Sequence, residues 1–169
     1  MTSDEQLGWL SPDELRTFRA FNRAWEAAAA HLDADMERET DLPRTYFDIL
    51  WRLRRAPDRS LRMSRLAAIT HSKSSRITHA IGRLEADGLV RREVPPGDRR
   101  GWLAVLTDEG LRRVEQAAPV YARSVRERVL TPLTNQQRKQ LTAIGETLLA
   151  GLEPEALVSS GDKEQAATP

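Results

Sequence analysis

At 169 residues the chain can form one domain with a real core, or one small domain carrying extra helices, and two large independent domains are excluded. It has no cysteine, which removes disulfides, thiolate metal sites and thiol redox chemistry from consideration. Lys and Arg number 26 against 25 Asp and Glu, yet residues 64–100 hold eight basic side chains (Arg65, Lys73, Arg76, Arg83, Arg91, Arg92, Arg99, Arg100) against four acids, the imbalance expected where one stretch of a near-neutral chain faces a polyanion.

The first predicted element starts at "SPDE", where Ser11 can cap, Pro12 suits the first helical position and Glu14 closes a capping box. Leu15, Phe18, Phe21, Trp25, Ala28 and Leu32 then recur at three- and four-residue steps, one apolar stripe on a helix of about six turns. A second helix opens at Pro43 and buries Tyr46, Ile49, Leu50 and Leu53, before "APDRS" makes a turn. Two shorter helices follow, Ser64 to about Thr70 and Ser72 to about Asp87, with Gly88 at the left-handed stop position.

The second of these, "SKSSRITHAIGRLEADGLV", turns Ile77, Ala80, Ile81 and Leu84 inward and presents Ser74, Ser75, Arg76, Thr78, His79 and Arg83 on its polar surface. A short helix, a tight turn and a helix with that surface fit a helix-turn-helix, whose second helix enters the DNA major groove. Leu89–Val94 and Trp102–Thr107 read as two strands joined by "PPGDRRG", a hairpin that makes a wing. Arg99 and Arg100 at its tip suit the backbone or a narrow minor groove, while Asp98 suits an arginine partner that holds the tip in shape.

Thr107 caps the next helix, with Asp108 and Glu109 against the positive end of its dipole and a stripe of Leu111, Val114, Ala118, Tyr121, Val125 and Val129. The last helix starts at "TNQQ", where Thr134 and Gln137 form a capping box, and shows Leu141, Ile144, Leu148 and Leu152. The long stripes at the two ends exceed what a winged helix can cover, so they are expected to bury each other and a symmetry mate.

Within this pattern, "SRITHAIGRLEADGLVRR" followed by "DRRGWLAVLTDEG" resembles the MarR family of bacterial transcription regulators, densely over residues 61–115. The resemblance implies a dimeric regulator on a pseudo-palindromic operator, often responsive to small aromatic ligands. It places Ser74, Ser75, Arg76, His79 and Arg83 toward the major groove and Arg100 at the wing tip. It also implies an effector pocket between the dimer helices and the DNA-binding lobe, for which Trp25, His31, Tyr46 and Trp51 are candidates by position. On their apolar helix faces Trp25 and Trp51 are expected first of all to pack in the core, and Trp102 to pack a strand of the wing against the body. Whether Arg54 or Arg65 supplies a counter-charge to an acidic ligand stays open.

The predicted fold is mainly α with a small β-hairpin wing. Residues 1–42 form an N-terminal dimerisation helix and linker, 43–106 the winged helix-turn-helix, 107–153 the C-terminal dimerisation helices and 154–169 a disordered tail. His31, His71 and His79 lack metal-ligand spacing, no nucleophile motif or phosphate loop is present, and neither a metal, a cofactor nor an enzymatic activity is expected. The first residues lack the regions of a signal peptide and no apolar run approaches the ~20 residues of a membrane span, so a cytoplasmic protein is expected. The expected function is sequence-specific binding of double-stranded DNA by a homodimer, as a repressor relieved by a small aromatic effector. The alternative is a regulator of the same fold controlled by its abundance or by a protein partner.

Overall fold

The computed structural model describes residues 8–94 and 101–152. Asp98, Arg99, Arg100 and the segment 154–169 lie outside the described residues. The chain divides into two compact units, residues 1–128 and 129–169.

In the first unit, helix α1 spans Pro12–Thr40, and its capping box forms as expected: Glu14 N donates to Ser11 Oγ at 3.3 Å and Ser11 N to Glu14 Oε2 at 2.7 Å. It runs two turns past the predicted stripe because residues 33–40 contain no breaker, and it stops where Asp41 takes a left-handed φ of 50°. Burial begins only where the predicted stripe ends, with Leu32, Asp35 and Met36. Phe18, Phe21 and Trp25 remain more than half exposed, so Trp25 is not a core residue of this chain.

Helix α2, Arg44–Arg55, buries Phe47, Ile49, Leu50 and Leu53. The expected Tyr46 is half-buried and Phe47 takes the inward place, stacking on Trp51 with ring centroids 5.8 Å apart and meeting Tyr121 at 4.8 Å with the rings tilted by 35°. A 3₁₀ turn, Pro57–Arg59, then leads into strand β1, Ser60–Arg62, which pairs antiparallel with β3, Leu103–Leu106. With β2, Val90–Glu93, they form a three-stranded sheet of order β1-β3-β2. The predicted two-stranded hairpin therefore has a third member. Three residues are too few to display an alternation, and the partners of β1 lie more than forty residues along the chain.

Helices α3, Met63–Ile69, and α4, Ser74–Ala86, pack Leu66, Ala67, Ile77, Ile81 and Leu84 into one core with the inner face of α2, Val90, Ala104, Leu106 and Met36. Ala80 is only half-buried. Trp102 is 52 % exposed and does not pin the wing to the body; its carbonyl instead accepts the Met63 backbone N–H at 3.0 Å. Helix α5, Asp108–Val125, closes the core with Val114 and Ala117, and a five-residue π turn, Arg126–Leu130, follows it.

One polar contact inside this unit left no mark in the periodicity. Ser124 on α5 donates to Asp35 on α1 at 2.6 Å, Arg38 donates to the other carboxylate oxygen at 2.7 Å, and Arg128 approaches at 3.4 Å. Glu39 beside it accepts from Arg38 at 2.8 Å and from Arg123. The Ser124 hydroxyl, then Arg38, hold the Asp35 carboxyl far below the ordinary carboxylate range, so it is ionised though buried.

In the second unit, helix α6 spans Asn135–Leu152. Thr134 and Gln137 cap it reciprocally, at 2.9 and 3.2 Å, as expected. None of its residues is buried, and Leu141, Ile144, Leu148, Leu149 and Leu152 are exposed. Among the described residues no helix is long and apolar enough to cross a membrane.

Candidate nucleic-acid interface

The turn between α3 and α4 is built from backbone bonds. Thr70 closes α3 by donating its hydroxyl to Leu66 O at 2.7 Å, and Ser72 N donates to Ala67 O at 2.9 Å. Between them His71 sits at a φ of 48°, a left-handed position that reverses the chain within one residue. Helix α4 starts at Ser74, two residues later than the sequence suggested, because Lys73 occupies the extended capping position.

All six candidates on α4 are exposed: Ser74, Ser75, Arg76, Thr78 and His79 on its first two turns and Arg83 beyond them. Burying Ile77, Ile81 and Leu84 forces this outcome, since residues three and four apart share one face. Thr78 returns its hydroxyl proton to Ser74 O at 2.9 Å, which leaves the hydroxyl oxygen able to accept. Among the described residues Arg76, His79 and Arg83 carry no ion pair. Within that part of the chain each is an exposed donor with no carboxylate partner, a state suited to an external polyanion.

The structure removes two basic residues from that account. Arg91 is paired with Glu93, and Arg92 with Glu85 on the last turn of α4. Arg92 holds the Glu85 carboxyl below its ordinary range through its side chain first and its backbone N–H second. Sequence reasoning counted both arginines toward the basic stretch. The seven-residue separation of Glu85 and Arg92 across a turn has no helical or strand periodicity that could have revealed the pair.

A joint of similar tightness fixes the sheet to α5. Thr107 caps α5 as expected, accepting from Gly110 N at 2.9 Å, and its hydroxyl also donates to Gly88 O at 2.8 Å. Gly110 passes so close to Leu89 that a Cβ there would lie 2.0 Å from the Leu89 carbonyl oxygen. Gly88 itself takes a φ of 73°, which explains a glycine directly after α4.

Two cavities flank the Phe47, Trp51 and Tyr121 cluster. The larger, about 720 Å³, lies between α2 and α4 and is lined by Tyr46, Trp51, Thr70, Ser72, Arg76 and His79 among others. The smaller, about 510 Å³, lies between α2 and α5, with Arg54 and Glu115 at its edge. Of the four effector-pocket candidates, Tyr46 and Trp51 come together on the larger cavity, whereas Trp25 and His31 line neither. Arg54 is already committed, 3.0 Å from Glu115 and 5.1 Å above the Trp51 ring. Among the described residues no cluster of His, Asp and Glu is arranged to hold a metal ion.

The arrangement of two helices about a tight turn, a third-strand-supported hairpin and long flanking helices has close counterparts. The sequence profile of the MarR family matches residues 40–101. Sco3205 of Streptomyces coelicolor, a MarR family transcriptional regulator solved in complex with DNA, is 38 % identical, with a TM-score of 0.82 over 88 % of this chain and 96 % of that one. AbsC of the same organism, also a MarR family transcriptional regulator, is 31 % identical, with a TM-score of 0.79 over 85 % and 97 % of the two chains. YkoM of Bacillus subtilis (strain 168), an uncharacterised HTH-type transcriptional regulator, is 29 % identical over 132 residues, 77 % of this chain and 82 % of the relative. All three relatives are described as transcriptional regulators. With sequence identity and backbone agreement both extending over nearly the full length of Sco3205 and AbsC, the chain belongs to the MarR family of transcriptional regulators.

Proposed function

We propose that the protein is a sequence-specific double-stranded DNA-binding regulator that acts as a homodimer in the bacterial cytoplasm, represses its targets, and is released by a small aromatic effector. The observation that carries the DNA-binding reading is the exposed face of α4, where Arg76, His79 and Arg83, which have no acidic partner among the described residues, stand among Ser74, Ser75 and Thr78. In this reading α4 lies in the major groove, Arg76 and His79 reach base edges, and the hydroxyls and Arg83 add contacts to bases and phosphates. Arg99 and Arg100 serve the wing, with Asp98 bracing them. That Sco3205, 38 % identical to this chain, was solved in complex with DNA supports the DNA-binding reading.

Residues 43–106 carry the DNA contacts in this reading, and 1–42 with 107–153 carry the dimer contacts. Phe18, Phe21 and Trp25 on α1, and Ile144, Leu148 and Leu152 on α6, are each 46 to 78 % exposed. Such a quantity of apolar surface on a lone chain favours cover by a second copy. A two-fold dimer sets two α4 helices about 34–36 Å apart, the spacing of successive major grooves on a pseudo-palindrome. The effector reading is supported by the larger cavity, whose aromatic wall of Tyr46 and Trp51 meets α4 itself.

The test is an anisotropy titration on a duplex that the full-length protein selects from a randomised pool. With about six phosphates contacted, log K should fall against log salt with a slope near −5. A slope near zero removes the DNA-binding reading. A thermal-shift screen of aromatic compounds tests the effector, since a ligand of the folded state must raise the melting temperature. No shift across such a screen would favour control by abundance or by a protein partner.

A further inference from the structure

Glu85 is the last acidic side chain of α4, and it faces the sheet and not the solvent side that carries Arg76 and His79. Its carboxylate receives three donors from a single residue: Arg92 Nε at 2.7 Å, Arg92 Nη2, and the Arg92 backbone N–H at 3.1 Å. Arg92 belongs to β2, an edge strand of the β1-β3-β2 sheet. One side chain therefore grips both the backbone and the guanidinium of that edge.

We propose that Glu85 is a positioning residue for DNA binding, fixing strand β2 against the last turn of α4 so that helix and hairpin strands meet the duplex as one rigid piece. The inference rests on the DNA-binding reading and deepens it. Between α4 and β2 the chain passes through Gly88 at a φ of 73°, held there by Leu89 N on Leu84 O at 2.9 Å and Gly88 N on Glu85 O at 3.0 Å. Those bonds fix where β2 begins. Pairing with β3 from Val90 to Glu93 sets the course of β2 within the sheet, and Arg92, two residues into the strand, is where that paired edge is tied back to the last turn of α4.

Stability alone gives a poor reason for the pair. Both side chains are about one-third exposed, and pairs in that setting contribute little to folding because water screens them and two long side chains must be held still. Geometry gives a better one, since Nε and Nη2 of Arg92 close on Oε2 of Glu85 while its backbone N–H takes Oε1, and bonds to both oxygens fix direction as well as distance. A competing role for Arg92, as a phosphate contact that Glu85 merely happens to touch, makes the opposite prediction. Freeing Arg92 by removing Glu85 would then add positive charge at the interface and tighten DNA binding.

The sign of the effect decides between them. Full-length wild type, Glu85→Gln and Glu85→Ala are compared on the duplex selected by the wild type, by anisotropy and hydroxyl-radical footprinting, with melting temperatures measured alongside. The expected result is that Glu85→Ala binds roughly tenfold more weakly despite the gain in positive charge, the scale of losing one or two charge-assisted bonds. Its protection should fade at the outer flanks of each half-site while base preference under α4 persists. Glu85→Gln keeps an acceptor for the Arg92 backbone N–H and should fall between, so it carries the test if the alanine variant does not fold. Equal or tighter binding, or a uniform loss with the flanks still protected, overturns the proposal while the wild-type footprint leaves the DNA-binding reading standing. A wild type that protects no half-site overturns both.

Discussion

Gly110→Ala should destabilise this protein although alanine is the better helix former. In an unconstrained helix interior the exchange gains about 1 kcal/mol, because glycine loses more backbone freedom on folding. At Gly110 the new methyl would sit 2.0 Å from the Leu89 carbonyl oxygen, 2.7 Å from Leu106 Cδ1 and 3.0 Å from the Leu89 carbonyl carbon. The first contact is with backbone that has little room to retreat, since the same carbonyl accepts Thr107 N–H at 3.1 Å and the Thr107 hydroxyl holds Gly88 O at 2.8 Å. Relief requires α5 to slide away from the α4 exit turn, and forced overpacking of this kind costs about 1–3 kcal/mol or more. At about 2–4 °C per kcal/mol for a chain of this size, the melting temperature should fall by several degrees. Gly82, inside α4 with nothing within 4 Å of a methyl placed on it, provides the opposite sign: Gly82→Ala should raise stability by about 1 kcal/mol. Thermal unfolding followed by circular dichroism reads both. A Gly110→Ala midpoint at or above that of the wild type would refute the claim that α5 and the α4 exit turn are locked backbone to backbone.

Leu50 is fully buried on α2, and Leu50→Ala should cost about 2–5 kcal/mol in urea unfolding without a change of fold. Arg76→Ala should weaken operator binding by about 1–3 kcal/mol and relax preference at one or two base pairs, measured on a panel of single-substitution duplexes; unchanged preference would contradict base readout. Asp35 has its folded-state titration below the ordinary value of 3.8, so its contribution is complete at neutral pH, begins to fade as pH falls past that value, and is lost through the still lower folded-state titration. Asp35→Asn should therefore be less stable than wild type at pH 7 and lose less on acidification, and parallel stability curves from pH 7 to 2 would argue against the Ser124 and Arg38 contacts. Sedimentation at low micromolar concentration should give a dimer of the 19.1 kDa chain, and deletion of residues 1–32 should give a monomer or an insoluble product; a monomeric wild type that still binds a palindrome tightly would contradict the dimer reading.

The residues that made this fold legible are those whose role is local. Ser11, Thr107 and Thr134 each announce a helix through a partner three residues on, and in each case the hydrogen bonds form. Ile77, Ile81 and Leu84 fix which face of α4 is buried, and the exposure of Arg76 and His79 follows from the 3.6-residue repeat alone. Features that depend on distant partners were not legible. Strand β1 exists because Ser60 meets Val105, and Asp35 is tolerated inside because Ser124, Arg38 and Arg128 converge on it from other turns of the structure. The same limit explains the tryptophans. An apolar stripe states that Trp25 will be covered, but nothing in a single stripe says whether by this chain or by another, and here this chain leaves it 54 % exposed.

Three of the contacts that were not legible meet in one region. Glu85 ties the end of α4 to β2, the Thr107 hydroxyl ties the α4 exit turn to the start of α5, and Gly110 allows α5 to seat directly on Leu89. Helix α4, the edge of the sheet and the first turn of α5 are thereby linked through backbone atoms and a forked ion pair, with little of the side-chain freedom that would let one shift without the others. Along the same helix α5, Tyr121 packs at a tilt against Phe47 beside both cavities and Ser124 holds Asp35 of α1. A displacement of α5 by a molecule lodged against Tyr121 would thus reach α4 through Gly110 and Leu89 without any new contact at the DNA face, whereas a molecule resting on Arg76 and His79 would block that face directly. The two cases differ in a measurable way, because substitution of Gly110 should alter the response in the first and leave it intact in the second.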